Sequence, residues 1–341
     1  MRCLIGDSRG NVLVEVIPLV ESVSEVLNGV GRASLLFSSK DNKVTADNLA
    51  FGNRLLLQFD NGMEWGGIID PPRKWTAGNV QVTGYTGEKL MDWRTTGKSR
   101  RFAGVSKGNI FQAVHSEALP IPGYAIGEVW TGGVGHSPDY HLESLLDLVQ
   151  KSLCDRLGTA EFAVIPDFTD GVIVFRSEFY ERRGVDTNLM LVEGGNITDA
   201  ELIEQGDIIN DWTIAGADLS GEGSDGWGDG RLIATASDAE SISVYGRRQG
   251  GAVFPDIKIQ ATLDLKARSL RDEYAYPHNI FSLTAVDAKP ARFKDYQVGD
   301  SLLLQLYSCG FGGVDTRVRV VGREYFPQQG TANLIVQEVT G

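Results

Sequence analysis

The stretch Phe51–Phe59, FGNRLLLQF, returns near the other end of the chain as VGDSLLLQL, Val298–Leu306. Of the ten aligned positions 51–60 and 298–307, five are identical: one glycine, three leucines and a glutamine. Leucine-rich strands are common, so the surroundings decide what the match means. The first copy leads through Asp60-Asn61-Gly62 to GGIIDPPRKW and then GNVQVTGY; the second leads through a glycine loop to TRVRVVGREYF and then ANLIVQEV. Order, approximate length and the alternating last strand agree. A repeated three-strand context marks an internal duplication and restricts the chain to an architecture of repeated β units.

The rest of the chain divides around those two units. Residues 1–97 read as short strands: VLVEVIP, RASLLFS, RLLLQF, EWGGIIDPP and NVQVTGYTG. Asn61-Gly62 between apolar runs predicts a hairpin joining Leu55–Phe59 to Trp65–Ile69. Val80, Val82 and Gly84 share one face by two-residue alternation. Strands this short and regular predict a small barrel or sandwich. Residues 98–204 predict an α/β insert. It opens on a long Gly/Pro-rich loop, Leu119–Asp139, and continues in a helix capped by Ser137 with Pro138 in its first position. Tyr140, Leu142, Leu145, Leu146, Val149, Leu153 and Leu157 then recur at helical spacing before Gly158, and EFAVIP and GVIVFRS follow as a strand pair joined at Asp167–Gly171. Residues 205–341 form the second unit, with a polar glycine loop at Leu219–Gly230 and a helical excursion at about 256–275 that places Ile259, Leu263, Leu270 and Tyr274 on one face. The expected fold class is mainly β (α+β), two β-barrel units with an inserted α/β domain.

Charge and motifs narrow the function. A net charge of −13 opposes electrostatic capture of nucleic acid, which needs clustered Lys and Arg. Lys98, Arg100 and Arg101 form the one basic cluster, and against that background they are expected to meet acids of a neighbouring subunit. No apolar run approaches the ~18 residues of a membrane span, and MRCLIGDSRGNVLVEV lacks the pattern of a secretory signal. Three widely spaced cysteines, Cys3, Cys154 and Cys309, argue against a disulfide framework and for a cytosolic origin. His136, Asp139 and His141 are the nearest approach to a metal set; a helix starting at Pro138 would turn Asp139 and His141 apart, so a surface role is expected and no metal. Asp225 and Asp229 lack the third acid and spacing of a calcium loop. Glu178, Glu181 and Asp186 interleave with Arg176, Arg182 and Arg183, as on a solvated or salt-linked edge rather than in a hydrolytic carboxylate pair. GxSxG, HExxH and Cys–His signatures are absent. The expectation is a protein without enzymatic activity or cofactor.

Four segments together carry a resemblance. NGVGRASLLFSSKDNKVTADNLAFGNRLLLQFDNGMEWGGIID sets a glycine-containing apolar strand before a leucine-rich strand and a Gly-Gly-Ile-Ile strand; VQVTGYTGEKLMDWRTTGKSRRF, TASDAESISVYGRRQ and YQVGDSLLLQ follow in order. In this series the chain resembles bacteriophage tail hub proteins, while the loop 119–136 matches no part of the pattern. The resemblance implies two tail-tube-like barrels per subunit and a homotrimeric ring whose six barrels adapt a six-fold tube to a three-fold tip. It implies a location in the virion tail, with assembly in the host cytoplasm. The implied partners are a tail tube or distal tail protein above, a tip or fibre protein below and the C-terminus of the tape-measure protein. DNA would pass through the lumen unbound, repelled by the acidic balance. Interface positions expected on this basis are Leu55, Leu57, Phe59, Leu302, Leu304 and Leu306, the loop around Trp227, and Arg100 and Arg101. The competing reading is a tail-tip cell-wall hydrolase or a carbohydrate-binding protein.

Overall fold

A computed structural model describes residues 1–97, 100–118, 121–133, 135–154, 160–219, 230–255, 257–310 and 312–339. The first unit contains β1 (Arg2–Gly6), β2 (Val12–Val16), β3 (Leu19–Val26), β4 (Arg32–Ser38), β5 (Arg54–Gln58), β6 (Glu64–Thr76) and β7 (Asn79–Thr86). Neighbours in its sheet run β3-β4-β7-β6-β5-β1-β2, all antiparallel. The hairpin expected at Asn61-Gly62 is present: Gly62 has φ +86°, and Phe59 N–H donates to the Met63 carbonyl at 2.9 Å. β4 alternates, sending Ala33, Leu35 and Phe37 into the barrel, where Val80 and Val82 of β7 meet them. β1 and β3 escaped the sequence reading; β3 follows Pro18 directly, and a bulge between Val20 and Ser22 breaks its alternation, so that buried Val20 and Val23 are three apart.

The chain then builds a middle unit from α1 (Lys107–Ala118), β8 (Tyr124–Val129), α2 (Leu145–Leu148, continued as a π turn to Leu153), β9 (Glu161–Thr169) and β10 (Val172–Tyr180). The β9–β10 hairpin is as expected, turning at Asp170 and Gly171, both at positive φ. Two expectations fail here. β8 lies inside the stretch expected to be loop, because YAIGEV pairs parallel with β10. The helix does not start at Ser137. Residues on both sides of Pro138 are held in short ladders, His136 with Val105 and Tyr140 with Arg100, and the helix begins beyond them with Ser144 as its cap. Leu157 and Gly158 lie outside the described residues.

β11 (Asp186–Val192) and β12 (Ile197–Gln205) come next. A smaller unit follows, of β13 (Asp211–Asp218), β14 (Arg231–Ser237), α3 (Ala239–Tyr245), β15 (Gln249–Val253) and α4 (Gln260–Tyr274). Leu263, Ala267 and Leu270 of α4 cover Trp212 and Ile214 of β13, as the helical spacing anticipated. Ile259, placed on that face by spacing, is instead the extended residue before the helix and is 59% exposed. The chain ends with β16 (His278–Val286), β17 (Ser301–Leu306), β18 (Val314–Phe326) and β19 (Thr331–Glu338).

Strand order in this last group is β12-β16-β19-β18-β17-β11. It repeats β3-β4-β7-β6-β5-β1 position by position. Only the outermost pairing differs in direction, β11–β17 being parallel where β1–β5 is antiparallel. The repetition reaches individual hydrogen bonds. Gly52 N–H donates to the Ile69 carbonyl at 2.8 Å, and Gly299 N–H donates to the Val320 carbonyl at 2.8 Å. Ile69 N–H then donates to Asn53 and Val320 N–H to Asp300, at 2.8 and 2.9 Å. Gly52 and Gly299 have φ of +89° and +104°, a backbone region that favours glycine and explains why it survives in both copies. β6 and β18 each carry a bulge in this region, one ladder position apart: two extra residues after Asp70 and one after Val320. The two units share one core, because β18 also pairs with β3.

Candidate assembly interface

The leucines proposed as interface residues lie in this shared core. Leu55, Leu57, Leu302 and Leu304 are fully buried, and Phe59 and Leu306 nearly so. β5 has neighbours on both edges, β1 and β6, and β17 likewise has β11 and β18. Neither strand is free to meet a partner. The triple leucine has a different cause: Leu55 and Leu57 face the barrel, while Leu56 faces the other way into the core of the middle unit with Leu4 and Ile68. A strand buried on both faces reads as a continuous apolar run.

Arg100 is on the surface, donating to Glu117 of the same chain at 2.7 Å and lying over the Phe102 ring; Arg101 is exposed. Lys98, Trp227, Asp225 and Asp229 lie outside the described residues. His141 Nε2 and Asp139 Oδ1 stand 3.5 Å apart on the surface, beside each other rather than turned apart, since the backbone here is extended. Among the described residues no group of three or more His, Cys, Asp or Glu could hold a metal, and no helix is long and apolar enough to cross a membrane. Two carboxylates of the 178–186 stretch are engaged within the chain: Asp186 with Arg182 at 3.0 Å, and Glu178 with the Tyr180 hydroxyl. Glu181 lines a cleft of ≈ 670 Å³ together with Glu128, Trp130 and Tyr180. At its edge Glu161 is clamped by Arg319, both oxygens at 2.6 Å. A carboxylate neutralised in that way makes a joint between units, not a general acid.

Two buried arginines, Arg54 and Arg323, and the partly buried Arg319 connect the units. Arg54, 1% exposed, donates to the carbonyls of Gly123, Pro122 and Ile173 at 2.6 Å and of Ser8 at 3.1 Å, and lies over the Phe175 ring. Burial pulls its pKa down to about 10, which leaves it charged at neutral pH. Arg319 adds bonds to the Arg183 and Gly299 carbonyls, so the middle unit is fixed to the second barrel as Arg54 fixes it to the first. Arg323 of β18 donates to the Phe293 and Tyr296 carbonyls and pairs with Glu25 of β3 at 2.6 Å, locking barrel to barrel. Inside the middle unit, His115 Nδ1 lies 2.9 Å from the Phe111 carbonyl, which can only accept, so Nδ1 carries the proton and Nε2 accepts from Ser177 at 3.2 Å.

Burial of His115 lowers its pKa to about 4. The unfolded chain therefore binds a proton near pH 6.5 that the native chain refuses. Stability is untouched above pH 6.5 and falls between pH 6.5 and about 4, by as much as ~3 kcal/mol at roughly 1.4 kcal/mol per pKa unit. Urea midpoints at pH 7 and 4.5 should show this drop in the wild type, and His115→Gln should show less of it. An equal drop in both chains would remove His115 as its source.

No family model matches the sequence, and no curated protein sequence matches it. Solved structures do. The 43 kDa tail protein of prophage MuSo2 from Shewanella oneidensis aligns over 99% of this chain and 98% of its own, with a TM-score of 0.64 at 12% identity. Prophage tail protein gp18 from Listeria monocytogenes aligns over 100% and 95%, with a TM-score of 0.64 at 13% identity. The fold is that of phage tail proteins. The E. coli c3393 protein, a component of the type VI secretion system with structural similarity to the T4 tail proteins gp27 and gp5, aligns over 95% of this chain and 74% of its own. Its TM-score is 0.59 at 10% identity.

In this tail-protein fold the segment TASDAESISVYGRRQ has a structural job. Asp238 caps α3 by accepting from Ser241 N–H at 2.8 Å, and Gly246 ends the helix at φ +75°. Buried Asn210 then binds the Ser241 hydroxyl, the Gly246 carbonyl and the Arg248 N–H. Sequence reasoning passed over Asn210, Arg54, Arg319 and Arg323. The available signal was a charged residue on an otherwise apolar strand, as in NRLLLQF and GREYF.

Proposed function

We propose that the chain is a structural tail hub protein of a phage virion, acting mechanically. Three copies form a ring of six barrels that caps the tail tube and adapts its six-fold symmetry to a three-fold tip. The single observation carrying this reading is the duplication within a chain whose whole length follows the fold of phage tail proteins. A protein that presents the same unit twice can offer six equivalent surfaces from three copies. Closed symmetry is the usual outcome for such assemblies.

We further assign two barrel units, β1–β7 and β11–β12 with β16–β19, and two insertions, the middle unit and the smaller 207–275 unit. We set the boundary after the middle unit near residue 183 instead of 204, a reading supported by the pairing of β11 with β17 and of β12 with β16. On this reading the tube or distal tail protein sits on one face of the ring and the tip or fibre protein on the other, with the tape-measure C-terminus reaching the lumen. The net charge of −13 favours passage of DNA without adhesion. Solution mass and electron microscopy of the purified chain, alone and with its tube protein, test the reading. Rings of three copies bound to tube ends are the expected result. A chain that remains monomeric even with the tube protein present overturns it.

A further inference from the structure

Within one chain the second barrel joins the first by strand pairing, Gly322–Tyr325 of β18 running antiparallel to Val26–Val23 of β3. The duplication gives every part of this junction a counterpart. On the β18 side the counterpart is the end of β6. Ile69 and Val320 are equivalent by their shared hydrogen bonds, and they oppose Gly84 and Val336. Two residues further along β7 and β19, Val82 opposes Arg73 and Leu334 opposes Arg323. Arg73 thus stands for Arg323 and Trp75 for Tyr325. On the β3 side the counterpart is β12. Val23 opposes Ala33, which opposes Gly84; Leu202 opposes Phe281, which opposes Val336. Leu202 therefore stands for Val23, Ile203 for Ser24, and Glu204 occupies the register position of Glu25.

Both counterparts are sheet edges. The end of β6 has β7 on one side and no strand on the other among the described residues, and β12 has only β16. Their side chains differ from the internal junction as uncovered surfaces should. Tyr325 is 7% exposed, while Trp75 is 56% exposed; Val298 is fully buried, while its equivalent Phe51 is 49% exposed. Ile203 on β12 is 43% exposed. Arg73 is already held as Arg323 is. Its Nη1 donates to the Leu49 carbonyl at 2.7 Å where Arg323 Nη1 donates to the equivalent Tyr296 carbonyl at 3.0 Å. Its guanidinium also lies over Phe51 and Trp75. The carboxylate that completes Arg323 is Glu25; among the described residues no ion pair completes Arg73.

We propose that Arg73–Thr76 of β6 in one copy pairs antiparallel with β12 of a second copy, reproducing the β18–β3 junction between chains with Arg73 opposite Glu204. Edge-to-edge pairing supplies backbone bonds, and the covered Trp75 and Phe51 supply apolar area. Pro71 and Pro72 occupy the β6 bulge and donate no N–H, so the ladder cannot extend past Arg73 and one register is favoured. The contact is head-to-tail: each copy offers its β6 to one neighbour and its β12 to the other. Junctions within and between chains then alternate around a ring in which every barrel meets the next in the same way. The inference rests on the ring reading above and names the surface that makes the ring.

Charge exchange and cross-linking of the full chain test it, read by sedimentation and by non-reducing electrophoresis. Arg73→Glu and Glu204→Arg should each weaken self-association at least tenfold, and R73E/E204R together should recover most of it. In the internal register Glu324 opposes Ser24, so Lys74→Cys combined with Ile203→Cys should cross-link copies into a ladder ending at the ring, whereas each single cysteine variant should not. The cross-link keeps the test decisive if a charge reversal also unfolds the chain. A wild type that assembles, with variants that assemble equally well and no cross-link, overturns this contact alone. A wild type that never assembles overturns the ring and the contact together.

Discussion

Arg54→Met is expected to cost about 3–5 kcal/mol and to loosen the middle unit from the first barrel. Methionine fills much of the same volume and keeps the strand apolar, so the loss is electrostatic in origin. Four carbonyls, those of Ser8, Pro122, Gly123 and Ile173, would lose the guanidinium inside a closed site, the Gly123 carbonyl keeping a backbone donor in the Phe175 N–H. A buried acceptor left unpaired costs roughly 1–3 kcal/mol, and losses at one site are not additive. Arg54→Lys should recover only part of the loss, because a single ammonium cannot reach carbonyls spread around a planar fork. Equilibrium urea unfolding measures the stability, and limited proteolysis across residues 119–136 reports whether the unit opens first. A methionine variant within 1 kcal/mol of wild type would show that Arg54 fills space and little more.

The second large effect is expected at Arg319. Its guanidinium grips Glu161 with two bonds and the Arg183 and Gly299 carbonyls with two more, and both side chains are mostly buried. Arg319→Ala should destabilise by about 2–4 kcal/mol, since it strands a carboxylate in a partly closed cleft. Glu161→Gln should cost less, as the amide still accepts one bond. The double variant should fall short of the sum of the single losses by about 1–3 kcal/mol, the coupling expected of a bidentate pair. Additive losses in that cycle would mean that the two residues act separately.

Much of this fold is legible in the residues. Period-two alternation located β7, Asn61-Gly62 located a hairpin, and the repeated Gly-x-x-Leu-Leu-Leu-Gln disclosed the duplication. The apolar triplet misled about its role, because a strand buried by two different units and a strand awaiting a partner look alike in sequence. Pro138 misled for a related reason: a proline suits the first turn of a helix and equally the break between two short ladders. What sequence could not place were the edges. Trp75 and Phe51 are ordinary aromatic residues until their buried equivalents, Tyr325 and Val298, are set beside them.

The pairing of β18 with β3 also has a consequence for synthesis. Arg323 and Glu25 are 298 positions apart, whereas every other strand pairing within the sheet of the first barrel lies in its own first 86 residues. As the chain leaves the ribosome, that barrel can close early, yet its β3 edge waits uncovered until the last strands arrive. An open edge on a nascent chain is an invitation to the wrong strand, above all to β18 of another copy made on the same message. Swapped subunits would carry the same bonds as correct ones, so the order of emergence decides which form accumulates.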